Sequence, residues 1–214
     1  MIHDRLFSMI IHKILRNTSL FFIFLVPFIP LYVANGLFFP FITGKAFAFR
    51  IIVEIVFALW LVLILRDKSY APKFSWLSVA VTAFAVVVLI ADLVGINPLR
   101  SLWSNFERME GWVVIAHLWA YFIAVTSIFG AEGKSDGKGK RMWHYFFNTT
   151  IIAACIVGLH GFFQVFGWAE IHQGSSRIDA SLGNAIYMAV YMLVHAFIAL
   201  YMSFVERARK RIGL

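Results

Sequence analysis

The chain has 214 residues, 61% of them hydrophobic and only 14% charged, with a mean hydropathy of +0.81. Soluble domains run at about 45–50% apolar and about 25% charged, so this composition excludes an ordinary soluble domain and points to a membrane protein. The formal charge of +8 would suit nucleic acid in a soluble protein, but in a membrane protein basic residues first report topology.

Residues 1–18 mix the apolar Ile2, Leu6, Met9, Ile10 and Ile14 with His3, Asp4, Lys13 and Arg16. Spacing of three and four suits a cytoplasmic helix lying in the headgroup region, and a plain polar tail is the alternative. A first span is predicted at 19–39, bent by Pro27 and Pro30. Ala46-Phe47-Ala48 looks like a signal-peptidase site, but the apolar run is too long for a signal peptide and more spans follow. Thr43, Gly44 and Lys45 break the run into a short loop. Further spans are predicted at 50–65, 76–96, 112–129, 143–168 and 185–204. The connection at 99–111 is polar and aromatic together, which suits an interface. The one at 131–141 is rich in Gly and Lys and reads as flexible. Span five has a small-residue face, Ala154, Gly158 and Gly161, where another helix can approach closely. The reading is an all-α polytopic protein with a six-span bundle over 19–204 and a basic tail at 205–214.

Six spans impose an alternation, and Lys and Arg choose its sense. The two termini and the 66–75 and 131–141 connections carry fourteen of the 19 basic residues; the other three connections carry Lys45, Arg50, Arg100, Arg108 and Arg177. The positive-inside rule therefore makes both termini cytoplasmic, and the basic excess needs no nucleic acid. Against that orientation, Glu54, Asp92, His117, His160 and Gln164 all fall within about 10–12 Å of the outer boundary at ~1.5 Å per residue. His195 alone is deeper. Ionisable groups in a bilayer usually face a protein interior or a watered cavity, so Glu54, Asp92 and His160 are candidate linings of an outward-opening cavity. The plainer alternative pairs Glu54 with Arg50 one turn away and sends Asp92 to interfacial water.

The outer connections add Arg100, Arg108 and Arg177. A guanidinium offers a fixed fork of donors matched to phosphate and carboxylate oxygens, which suits an anionic headgroup. Ion pairs of Arg177 with Asp179, or of Arg108 with Glu107 or Glu110, are the alternative. Glu107 and Glu110 share a helical face but have no His or third acid beside them, so no metal is expected. No cofactor motif and no soluble-type active-site motif is present, and Cys155 is the single cysteine.

Two stretches, Ser101-Leu-Trp-Ser-Asn-Phe-Glu-Arg-Met-Glu-Gly111 and Ser176-Arg177-Ile-Asp-Ala-Ser-Leu-Gly183-Asn184, each followed by a span, resemble the O-antigen ligase and O-antigen polymerase-like family of bacterial membrane proteins. Ala185 stands where that family commonly has Pro. The resemblance implies glycan transfer from an undecaprenyl-pyrophosphate carrier at the outer face of the bacterial cytoplasmic membrane. It also implies that Arg177 engages the pyrophosphate, with Arg108 a looser match and Arg100 a helper. Family members have about a dozen spans of ~20 residues, with the catalytic loop in the later half. This chain accordingly reads as an N-terminal half, inactive alone. A small transporter and a non-catalytic scaffold are the alternatives.

Overall fold

Proline has no backbone N–H to give, and the first helix changes character where prolines arrive. The structure, a computed structural model, describes residues 2–105, 110–133, 138–172 and 176–212. Helix α1 (Ile2–Leu25) passes into a 3-10 segment at Val26–Leu31 that holds Pro27 and Pro30, the tighter winding accommodating the missing donors. No separate surface helix precedes the first span, because α1 runs unbroken through Asn17, Thr18 and Ser19. Ser19 is tolerated there, fully buried, by returning its hydroxyl to Leu15 O at 2.9 Å.

The other helices are α2 (Thr43–Arg66), α3 (Trp76–Val94), the short α4 (Pro98–Trp103), α5 (Trp112–Glu132), α6 (Lys138–Val165) and α7 (Ala185–Ile212). The described residues form no strand. Six helical segments are long and apolar enough to cross a membrane: Leu6–Leu31, Thr43–Arg66, Trp76–Val94, Trp112–Glu132, Gly139–Val165 and Ala185–Arg207. The protein is thus all-α and of multi-pass type.

Two connections differ from expectation. Thr43-Gly44-Lys45 does not break α2, which begins about two turns before residue 50. A side chain at Gly44 would collide with Ala34 and Tyr32, so glycine lets the first turn pack. The Lys45 ammonium is met by Phe41 O at 3.0 Å and Ser181 O at 2.6 Å. The 99–111 stretch contains α4, started by Asn97, whose side chain accepts from Arg100 N at 3.3 Å, with Pro98 in the first turn where proline costs no hydrogen bond.

The chain divides into two compact units, Met1–Val26 with Ala46–Lys140, and Pro27–Lys45 with Arg141–Leu214. In the first, α5 is the central element and buries Ile123, Ala124, Val125, Ile128 and Phe129. Lipid is as apolar as a protein core, so packing and polar contacts must join these helices. Tyr121 donates to Ile23 O of α1 at 3.2 Å, Trp112 Nε1 to Ala85 O of α3 at 3.0 Å, and Trp119 Nε1 to Thr82 Oγ1 of α3 at 3.0 Å. Phe57 and Trp119 meet between α2 and α5 at 6.4 Å. At one end Arg16 clasps Glu132 with both guanidinium branches, one at 2.9 Å, and Lys73 Nζ caps Gly130 O at 2.7 Å.

In the second unit α6 and α7 lie side by side. A Cβ at Gly158 would sit 3.1 Å from Met192 Cε, and one at Gly161 3.2 Å from Met188 Cε. The small-residue face of α6 is therefore occupied by α7, as close helix approach requires. Val157, Ala180 and Met188 form its buried cluster.

The Glu132 side chain is only 10% exposed and Arg16 31%, so removing the arginine strands a mostly buried carboxylate. Arg16→Met should cost about 2 kcal/mol of stability in detergent, and adding Glu132→Met should recover most of it; thermal unfolding of the three forms checks this. Tyr70 lies 3.5 Å from both His12 Nε2 and Glu132 Oε1. Burial, and then the Glu132 carboxylate, push its hydroxyl up to about 12. An unfolded tyrosine ionises near 10, so this group's contribution is complete below pH ~10 and is lost as pH rises toward ~12. Tyr70→Phe should flatten the fall in stability across that alkaline window in a pH series of unfolding measurements.

Candidate functional site

A carboxylate out of water needs donors, and the 176–184 loop is built around one. Asp179 is fully buried. Its Oδ1 accepts from Gln164 Nε2 at 2.6 Å and lies 3.4 Å from His172 Nδ1, while Oδ2 accepts from His172 N at 3.0 Å. Gln164, in the last turn of α6, completes the lock. Its Oε1 accepts from Asp179 N at 3.1 Å and Ala180 N at 2.7 Å, and its Nε2 also donates to Glu170 O at 2.6 Å. Ala180 is held at φ 47, a left-handed conformation that non-glycine residues rarely adopt. The Gln164 contact to its N–H accounts for that choice.

The other side of the loop is fastened as firmly. Ser181 Oγ donates to Pro30 O at 2.8 Å, and Lys45 Nζ donates to Ser181 O at 2.6 Å. Gly183 has φ +66 and rests against the Phe41 ring where any side chain would collide. Phe41 also packs on the His172 ring at 4.6 Å between centroids. Asn184 Oδ1 then caps α7 by accepting from Ile186 N at 2.8 Å and Tyr187 N at 3.4 Å. Arg177 stands on this locked base with its residue exposed. The backbone that follows it, from Asp179 to Asn184, is held in one shape by these contacts, which lowers the ordering cost of binding at this loop.

A second feature lies in the first unit. A cavity of about 420 Å³ opens between α2, α3 and α5. Its aromatic walls are Phe57, Trp112 and Trp119, and Glu54 and His117 line the same space, with Glu54 Oε1 3.2 Å from His117 Nε2. Glu54 is the twelfth residue of a 24-residue helix, about 16 Å of helix from Thr43. Its shallow depth in the sequence reading followed from starting that span at residue 50, so Glu54 moves to mid-helix.

Of the other residues singled out in the sequence, Asp92 is half-buried two residues before the end of α3, and His160 is half-buried one turn before Gln164 on α6. Neither lines the cavity with Glu54. Arg100 is exposed on α4, in the first unit, whereas Arg177 is in the second. Arg108 and Glu107 lie outside the described residues. Asp179, the alternative ion-pair partner of Arg177, accepts from Gln164 Nε2 and His172 N. Sequence reasoning passed over His172 and Phe41. The signal that could have found their neighbourhood is an amide, Gln164, ending an apolar span 15 residues before an acid in a polar loop.

No family model, curated protein or solved structure matches this chain.

Gln164→Leu removes four hydrogen bonds from the loop and leaves Asp179 short of a donor. Local opening should become easier by about 2–3 kcal/mol, on the order of 30–150-fold in open population. Tryptic cleavage after Arg177 should accelerate correspondingly when opening is fast relative to cutting, as a time course of peptide release would measure.

Proposed function

We propose that this chain is the membrane portion of an O-antigen ligase-like glycan transferase. In this reading Arg177 takes the pyrophosphate of an undecaprenyl-linked glycan at the outer face of the bacterial cytoplasmic membrane. The observation that carries it is Arg177 itself, exposed on a loop whose backbone is locked from beneath by Gln164, Lys45 and Pro30. The motif that resembles the family is the one this lock shapes, from Arg177 to Asn184.

The chemistry asks little more of this segment. When the sugar's anomeric carbon bonds to the acceptor oxygen, its bond to the pyrophosphate breaks and the leaving group keeps the electron pair. A fixed guanidinium beside it offsets the growing charge without rearranging. The family resemblance assigns activation of the acceptor to later spans. The meeting of Lys45 and Pro30 with Ser181 supports the alternation of six spans, since it gathers two predicted outer connections at one end of the second unit. The Lys and Arg count supports the sense of that alternation, with both termini cytoplasmic. A transporter-like bundle is the second reading, favoured by Glu54 at the middle of α2.

In lipid nanodiscs the protein should bind undecaprenyl pyrophosphate more tightly than undecaprenyl monophosphate. Arg177→Ala should weaken the pyrophosphate by about 10–100-fold, the range expected for losing charge-assisted hydrogen bonds, and Arg177→Lys should fall between. Equal affinity of wild type and Arg177→Ala, measured by native mass spectrometry, would remove the basis of the assignment.

A further inference from the structure

The end of the α6–α7 pair away from Arg177 carries a strong charge imbalance. Residues 141–147 of α6 and 201–212 of α7 hold Arg141, Arg207, Arg209, Lys210 and Arg211 against one acid, Glu206, all within the second unit. Glu206 Oε1 lies 3.7 Å from His144 Nε2, so the acid is turned to the neighbouring helix and marks where the two basic stretches meet. Arg141 is three residues from His144, Arg207 is next to Glu206, and both arginines are exposed. Among the described residues neither pairs with a carboxylate. Helix α7 continues unbroken to Ile212, so Arg207 and Arg211, four apart, fall on one side of it.

The depth of these residues follows from the helices. The membrane-length part of α7 ends at Arg207, and that of α6 begins at Gly139. The basic residues therefore stand where hydrocarbon gives way to headgroups, and the last five residues of α7 carry charge about 7.5 Å further at a rise of ~1.5 Å per residue. Aromatic rings lie just inside them. Trp143 stacks on Phe147 at 5.8 Å between centroids, and Phe147 meets Tyr201 edge-on at 6.4 Å across the two helices. Trp and Tyr favour the headgroup level, so rings and charges mark the same boundary.

We propose that this end of the second unit holds an anionic phospholipid, its phosphate taken by the arginines of α6 and α7 and its chains lying beside Tyr201. The proposal does not rest on the reading of Arg177. Guanidinium groups suit a phosphate because their donors form a fixed fork and their charge persists at every relevant pH. Clusters of four or more basic residues at the end of a span attract anionic lipid, each residue adding about fivefold, and α7 alone supplies four. Because two helices contribute at one level, a headgroup with two phosphates meets more of these charges than a headgroup with one.

Other partners fit less well. A zwitterionic lipid brings its own cation to the arginines. A soluble anion would find the same charges but would leave the aromatic rings unused. A nucleic acid needs its basic contacts clear of the headgroups, whereas Arg207 still belongs to the membrane-length segment.

The test titrates the detergent-solubilised full chain with cardiolipin, phosphatidylglycerol and phosphatidylcholine, and counts bound lipid by native mass spectrometry. Cardiolipin, with two phosphates, should bind at least tenfold tighter than phosphatidylcholine, and phosphatidylglycerol should fall between. Arg207→Gln combined with Arg211→Gln should weaken cardiolipin about 25-fold and Arg141→Gln about fivefold, with phosphatidylcholine binding unchanged in both as a check on the fold. Arg66→Gln combined with Lys68→Gln removes two exposed charges from the first unit and should leave cardiolipin binding as it was. An equal loss in that pair would overturn the proposal, reducing the effect to net charge. So would cardiolipin binding that ignores loss of the α7 arginines, glycerol phosphate binding as tight as the lipid, or displacement of cardiolipin by an equal concentration of single-stranded RNA.

Discussion

A carboxylate survives inside an apolar helical protein only when donors replace the water it has lost, and the second unit is arranged to meet that requirement at Asp179. Gln164 reaches it from the end of α6, and His172 reaches it from the chain that follows. Because the same Gln164 also accepts from Asp179 N and Ala180 N, side chain and backbone are satisfied together, and the loop has one shape. Lys45 and Pro30 engage the neighbouring Ser181, tying the start of α2 and the 3-10 segment to the same loop. Removing Asp179 from its donors would take away the hydrogen bonds that tie the loop to the end of α6.

The first unit obeys the same rule with different parts. Three tryptophan indoles find backbone or hydroxyl acceptors, Trp60 on Tyr70 O among them, since an unpaired N–H is expensive where no water can take its place. Arg16 and Glu132 pair across 116 residues of sequence at one end of the unit. His117 reaches two groups at once, its Nδ1 2.6 Å from Val113 O and its Nε2 3.2 Å from Glu54 Oε1.

The two features differ in their surroundings. The Arg177 loop is held from beneath by Gln164, Lys45 and Pro30, an arrangement that lowers the entropic cost of meeting a ligand. The cavity beside Glu54 is walled by Phe57, Trp112 and Trp119 and is almost entirely apolar. Each lies within one compact unit.

The amino-acid sequence alone determined the class of protein, the existence of six membrane-length apolar segments and the small-residue face of α6, because each depends only on local composition or spacing. It also located the polar stretch that carries Arg177 and marked Glu54, His117 and Gln164 as polar groups within spans. It misjudged the start of α2, where Thr43, Gly44 and Lys45 resemble a break until Ala34, Tyr32, Phe41 and Ser181 are packed against them. Only the tertiary structure decided which polar groups meet: Glu54 with His117, Gln164 with Asp179, Arg16 with Glu132. Partner choice depends on how each helix is rotated about its own axis. In a soluble protein an apolar stripe reveals that rotation, but a helix between lipid and protein is apolar all round, so its facing residues are set by the helices it packs against.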